Sequence, residues 1–99
     1  MKLEKTIQNN NGTIIDVRTP AEFQEGHASN SINIPLHEIL KRLEEIGKMK
    51  TPLILCCASG GRSAQATFFL TSHKIECIDA GSWMTVHSLN LTSISKNSA

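Results

Sequence analysis

Short apolar runs alternate along this chain with stretches in which apolar residues recur every three or four positions. The runs read as strands and the spaced stretches as helices. That alternation predicts an α/β fold built on a mostly parallel sheet. Residues 13–17 (TIIDV) are a β-branched run directly after the turn cluster Asn9-Asn10-Asn11-Gly12. Thr19-Pro20-Ala21-Glu22 follows at once. Thr19 suits an N-cap, Pro20 the first helical position and Glu22 the return arm of a capping box, so a short helix is predicted that ends near Gly26. Residues 31–34 read as a second strand, stopped by Pro35. Between 36 and 46 the apolar residues stand at 36, 39, 40, 43 and 46. Glu38, Lys41, Arg42, Glu44 and Glu45 lie opposite, which predicts an amphipathic helix with a solvated charged face, ended by Gly47. Residues 53–56 are wholly apolar, as in a central strand covered on both faces. Residues 62–72 read as a helix offering Ala64, Phe68 and Phe69 to the core. Residues 75–78 read as a strand, 79–82 as a turn, 83–89 as a last short helix, and the polar residues from Asn90 onward as a frayed tail.

At 99 residues the pattern fits one domain, with its core at about 13–89 and the tail at 90–99. Such a chain buries about 60–65% of its extended surface, enough for a modest core without staples. The net charge of +1, with no basic run, gives no signature of a nucleic-acid partner or an anionic membrane. The first twelve residues lack the apolar stretch of a secretory signal, and no run is long enough to span a bilayer. A cytoplasmic location is therefore expected. Three cysteines, two of them adjacent, make a poor disulfide framework, and the four histidines are scattered without a zinc-ligand spacing. In a reducing compartment, a thiol in a glycine-rich setting points to reactivity.

That thiol lies in the stretch 53–63, LILCCASGGRS. A strand runs into two cysteines, then small residues and glycines, then a helix starting near Arg62. A helix start carries unpaired N–H groups and a partial positive charge, and glycines let a loop curl until successive N–H groups converge on an anion. A cysteine at the bottom of such a cup is stabilised as thiolate. Arg62 adds planar, bidentate anion recognition, and Ser63 can cap the helix or donate to the sulfur. The stretch is not a nucleotide-binding P-loop, because the lysine and the glycine spacing are missing. A bland alternative is a buried cysteine pair followed by an ordinary strand-to-helix turn. The two cysteines also leave a choice of chemistry. Arg62 is reached by C-x5-R counted from Cys56 and by C-x4-R counted from Cys57.

These residues resemble the rhodanese family of single-domain sulfurtransferases. Residues 16–23 (DVRTPAEF) are similar to the family's first signature, DVR-[ST]-x-x-E-[FY]. Gly26-His27 and Ile32-Asn33-Ile34-Pro35 are similar to the second, GH-I-x-G-A-x-N-I-P. Residues 57–63 (CASGGRS) resemble the active loop C-x-S-G-x-R-S, and Ala64 and Ala66 continue the following helix in the family's manner. Gly81 and Trp83 stand where a G-G-[IW] segment closes the sheet, so the likeness spans about 13–83. Ala28, Asn30 and Ser31 replace the usual Ile, Gly and Ala, and Ser82 replaces the second glycine. The family's later tryptophan, near Val86, is missing, and the elements before Asp16 are shortened to MKLEKTIQ. Gly61 stands at a position that is often basic or polar, which leaves Arg62 as the loop's one charged residue.

The resemblance implies a rhodanese-like three-layer α/β/α fold and sulfur transfer. In it Cys57 accepts a sulfane sulfur from thiosulfate, a polysulfide or a persulfide and passes it to a thiol or to cyanide. The N–H groups of Ala58, Ser59, Gly60, Gly61, Arg62 and Ser63 would hold the persulfide, and Arg62 would orient the donor or brace the loop. No metal or organic cofactor is required. The implied partners are a small sulfur-donor anion or a partner persulfide, and a thiol acceptor. Asp16, Arg18 and His27 read as supporting residues. Asp16 is expected to bond loop N–H groups, Arg18 to pair with Glu22 or another nearby carboxylate, and His27 to support its loop. Cys77, on an apolar run, is expected in the core. Two other readings stay open. Counted from Cys56, the loop resembles C-x5-R phosphatases of the dual-specificity cell-cycle type and arsenate reductases, although Leu55 stands where those phosphatases carry His. A non-enzymatic sulfur-carrier or binding module is the other. The register of Ser59, Gly60 and Ser63 favours Cys57.

Overall fold

The computed structural model describes residues 2–9 and 11–97, and the side chains among 3–9 and 11–90. Four parallel strands form its sheet: β1 (Thr13–Asp16), β2 (Ser31–Asn33), β3 (Leu53–Cys57) and β4 (Cys77–Ser82), in spatial order β2-β1-β3-β4. The helices are α1 (Lys2–Gln8), α2 (Pro20–Glu25), α3 (Leu43–Gly47), α4 (Gly61–Ser72) and α5 (Trp83–Asn97).

The period-2 alternation of β3 organises both layers. Leu53, Leu55 and Cys57 point into one apolar cluster with Ile15, Val17, Ile34, Ile39, Ile46, Ala66 and Leu70. Ile54 and Cys56 point into the other, with Ile7, Ile14, Ala28 and Val86. The first cluster takes residues from α3, α4 and the turns before α3. The second takes residues from α1 and α5. All five residues of β3 are buried, as a strand covered on both faces requires.

The capping box at α2 forms as its sequence predicts. Thr19 Oγ1 accepts the Glu22 N–H at 3.3 Å, the Glu22 carboxylate accepts the Thr19 N–H at 3.0 Å, and Gly26 follows the last turn. Elsewhere the boundaries move. The stretch predicted as one helix over 36–46 is two 3₁₀ turns, Leu36–Glu38 and Leu40–Arg42, before the five-residue α3. Spacings of three and four fit either helix type, and no side chain caps any of these three pieces. Leu40 is left 49% exposed while Ile39 is fully buried.

In α4 the core-facing residues are Ser63, Ala66 and Leu70. Ala64 is exposed and Phe68 is 71% exposed, against the sequence expectation, and Phe69 is half-buried. The last strand starts later than predicted. Ile75 closes the end of α4, its N–H bonding the Leu70 carbonyl at 3.0 Å beyond the left-handed Lys74 (φ 64°). Residues 79–82, predicted as a turn, belong to β4. Their backbone pairs with β3 through a bulge at Ala80, with Leu55 opposite Asp79 and Cys56 opposite Gly81. Gly81, at φ 76°, supplies the left-handed conformation that side chains resist. Helix α5 passes Leu89 and reaches Asn97. Asn90, expected to begin a frayed tail, is 8% exposed and donates Nδ2–H to the Ser29 carbonyl at 2.9 Å. Residues 98 and 99 of that expected tail lie outside the described residues.

Candidate active site

Chain order and spatial order diverge between β1 and β3, since the chain leaves β1 for β2 on one side and later returns to β3 on the other. In open parallel sheets the crevice beyond the carboxyl ends of such strands is where ligands bind. The residues at that end are Val17, Arg18 and Thr19 after β1, and Cys57 at the end of β3 with the segment 58–63 after it.

Cys57 ends β3 and is 1% exposed. The loop then folds back over its sulfur. Gly60 donates its N–H to Sγ at 3.0 Å and Ser63 donates its N–H at 3.4 Å. Gly60 adopts φ 109°, a conformation open to glycine, and immediately precedes α4. The Ser63 N–H is one of the first-turn donors that a helix leaves without a partner. Ser63 Oγ stands 3.5 Å from Sγ and 2.7 Å from Asp79 Oδ1. Burial pushes the Cys57 thiol up. The N–H groups of Ser63, Gly60 and Ser59, and the Ser63 hydroxyl whenever its hydrogen is turned to the sulfur, pull it down, and with these donors the balance lies below the ordinary thiol range.

Cys56 lives in the opposite surroundings. It is fully buried in the α1/α5 cluster, and burial, with the Asp16 charge adding, pushes its thiol up to about 12. A thiol so held is not a nucleophile at neutral pH. Cys77 lies in register with Leu53, at the far end of β3, whereas Cys57 pairs with Ser82. Four residues of strand separate the two sulfurs' positions by about 13 Å, well beyond disulfide reach. Cys77 is half-buried, 3.2 Å from the Ile75 carbonyl, so it is less deeply placed than expected.

Of the two kinds of partner expected for Arg18, Glu22 or another nearby carboxylate, the structure has the second, Asp16. Asp16 is fully buried and takes the Arg18 backbone N–H at 3.1 Å and the Arg18 guanidinium at 2.7–3.0 Å. Arg18 also donates to the Gly26 carbonyl at 2.8 Å and lies over the Trp83 ring, 4.9 Å from its centroid. Arg18 thus ties the end of β1 to the start of α5. Glu22, the other candidate partner, takes Arg62 in a two-pronged pair at 2.7 and 3.0 Å. Arg62 beside it, together with the Thr19 N–H, holds the Glu22 carboxyl down at about 2. His27 stacks on Phe23 at 3.7 Å with Nδ1 2.7 Å from the Phe23 carbonyl, supporting the end of α2. Ala58, Ser59 and Gly61 are exposed on the outer side of the loop. Beside the loop a cavity of about 340 Å³ is lined mainly by Val17, Pro35, Leu36, Leu40 and Phe69, with Arg62 also in its wall. Among the described residues no group of three or more His, Cys, Asp or Glu is placed to hold a metal ion, and no helix is long and apolar enough to cross a membrane.

Asp79 is the residue that sequence reasoning missed. It falls within 79–82, which the sequence predicts as a turn, and in the structure it lies at the bulge of β4 with Oδ1 2.7 Å from Ser63 Oγ.

The rhodanese-like domain profile matches residues 2–90, nearly the whole chain. The chain belongs to the rhodanese-like domain family. A sulfurtransferase of Allochromatium vinosum is 39% identical over 57 residues, covering 58% of this chain and 52% of that protein. A thiosulfate sulfurtransferase of Escherichia coli is 36% identical over 58 residues, covering 58% and 56%. The chain thus spans about half the length of the curated relatives it matches. A rhodanese-related protein of Thermoplasma volcanium superposes with a TM-score of 0.73 at 32% identity, over 86% of this chain and 82% of that one. A rhodanese from Escherichia coli solved with anions superposes at 0.67 and 29% identity, over 74% and 88%. The three-layer fold and the family expected from the sequence are therefore those found.

Proposed function

We propose that this rhodanese-like domain is a sulfurtransferase in which Cys57 carries the sulfur. The observation that supports it most is the contrast at the sulfurs. Cys57 is cupped by N–H donors and held low, while Cys56 is buried in an apolar cluster and held high. The Cys57 thiolate attacks the outer sulfur of a donor R–S–S⁻. The S–S bond of the donor breaks and R–S⁻ leaves with the bonding pair. The terminal sulfur anion of the Cys57 persulfide sits in the cup of loop N–H groups. An acceptor thiolate then takes that sulfur and returns Cys57 to thiolate, so no cofactor and no external oxidant enters.

The donor preferred is a persulfide or polysulfide. Thiosulfate is a dianion, and the one cation of the loop is already engaged by Glu22. The apolar cavity beside Arg62 suits the organic part of such a donor or acceptor. A C-x5-R phosphatase using Cys56 has no support in this geometry, since that sulfur faces away from the loop into the α1/α5 core.

The test is mass spectrometry after incubation with a persulfide donor, on the wild type, Cys56→Ser and Cys57→Ser. One added sulfur is expected on the wild type and Cys56→Ser and none on Cys57→Ser. Sulfur retained on Cys57→Ser and lost on Cys56→Ser, or hydrolysis of an aryl phosphate that depends on Cys56, overturns the proposal.

A further inference from the structure

We propose that Asp79 governs the reactivity of Cys57 by holding the single hydroxyl hydrogen of Ser63 away from the sulfur. Ser63 Oγ has three neighbours that compete for that hydrogen: Asp79 Oδ1 at 2.7 Å, the Gly60 carbonyl at 3.2 Å and Cys57 Sγ at 3.5 Å. A hydroxyl carries one hydrogen and two lone pairs. An ionised carboxylate can only accept, and a charge-assisted bond at 2.7 Å is the strongest on offer. The hydrogen therefore goes to Asp79, and Ser63 turns a lone pair towards the sulfur. That arrangement accepts a hydrogen from a Cys57 thiol and opposes a Cys57 thiolate.

Asp79 is fixed for the task. Oδ1 also accepts the Gly81 N–H at 3.0 Å, so the carboxylate is anchored to its own bulge. The ionisable groups around Cys57 come from α4, α2, β3 and β4. Arg62, on α4, lies in its field and is itself tied to Glu22 on α2, while Cys56, the preceding residue, stays neutral. Asp79 on β4 is the anion bonded to the hydroxyl that also touches the sulfur. Loss of Asp79 frees the Ser63 hydrogen to turn to Sγ and removes a nearby negative charge. Both changes favour thiolate. Asp79 is a positioning residue, acting through Ser63, and its effect is to keep the resting sulfur from reacting indiscriminately.

The inference rests on Cys57 being the reactive sulfur, and its test does not require sulfur transfer. The rate of Cys57 alkylation by iodoacetamide is followed against pH, localised by tandem mass spectrometry, in the wild type, Asp79→Asn and Asp79→Ala. Asparagine removes the charge but keeps an oxygen to accept from Ser63; alanine removes both. The midpoint is expected to fall in the order wild type, Asn, Ala. For a midpoint lowered by about one pH unit, a tenfold gain in thiolate is partly offset by weaker intrinsic nucleophilicity. The alanine variant then reacts roughly threefold faster below the midpoint and about threefold slower on the alkaline plateau. Crossing profiles support the proposal. A rate raised equally at every pH marks a merely loosened loop and overturns it. So does an unmoved or raised midpoint, or equal shifts for Asn and Ala, which would leave the Ser63 hydrogen no part. Crossing profiles in a protein that takes up no sulfur would sink the sulfurtransferase reading and leave this one standing.

Discussion

Cys56 and Cys57 are neighbours in the chain and lie on opposite sides of a sheet. Each has an ion pair near it. Behind Cys56 is Asp16–Arg18, buried, bidentate and stacked under Trp83. Beside the Cys57 loop is Arg62–Glu22, with about a third of each side chain open to water. The buried pair fixes where β1, the Gly26 turn and α5 meet. The open pair decides what charge an incoming molecule meets. Identical chemical groups thus brace the architecture on one face and stand partly open to water beside the loop on the other, because burial sets how much each charge is worth.

The two faces separate most sharply on removing each sulfur. Cys57→Ser is expected to reduce sulfur transfer to background while its thermal midpoint changes little, read by persulfide turnover and a melting curve. Next comes the buried pair. Asp16→Asn leaves the guanidinium of Arg18, 5% exposed, without its anion, and a loss of about 3–5 kcal/mol is expected in urea unfolding. An unchanged midpoint would show that the Gly26 carbonyl and Trp83 suffice to hold it. Cys56→Ser buries a hydroxyl in an apolar cluster, for a loss of about 1–3 kcal/mol with sulfur transfer retained.

The open pair gives smaller effects. Glu22→Gln keeps an acceptor for the Thr19 N–H and releases Arg62. Its kcat/KM for thiosulfate should rise about threefold to tenfold, the range of one freed charge in a wet site. The value for a persulfide donor should hold, and an equal rise for both would end the argument from donor charge. The smallest effect is one of pH. The Glu22 carboxyl is lowered from 4.5 to about 2 on folding, so its contribution to stability is complete above about pH 4.5 and is lost as pH falls towards 2. The difference in melting temperature between wild type and Glu22→Gln should therefore be constant at neutral pH and vanish across that acid window.

Local rules made much of this legible in the sequence. The β-branched run at 13–16, the capping box at Thr19 and Glu22, and the apolar run ending at two cysteines each encode their structure within a few residues. What stayed hidden depends on tertiary partners. Residues 36–47 carry spacings that fit a 3₁₀ turn as well as an α-helix, and packing of Ile39 and Ile46 decides between them. Asp79-Ala80-Gly81 has turn composition, and only β3 alongside makes it a bulged strand. The family motif names Arg18, Glu22 and Arg62 without saying who pairs with whom. The pairing follows from Asp16 reaching Arg18 two residues on, which leaves Glu22 to the loop.

Glu22 answers to two structures at once. Helix α2 has six residues, too few to persist without help at its ends, and its first turn is pinned by the carboxylate that also holds Arg62. A molecule that draws Arg62 into the loop returns the shared oxygen to Thr19 alone. The backbone amide of Thr19 then exchanges its hydrogen with solvent more slowly. Occupancy of the Cys57 loop would in this way be recorded at an amide forty-three residues upstream of Arg62 in sequence, without any helix having to move.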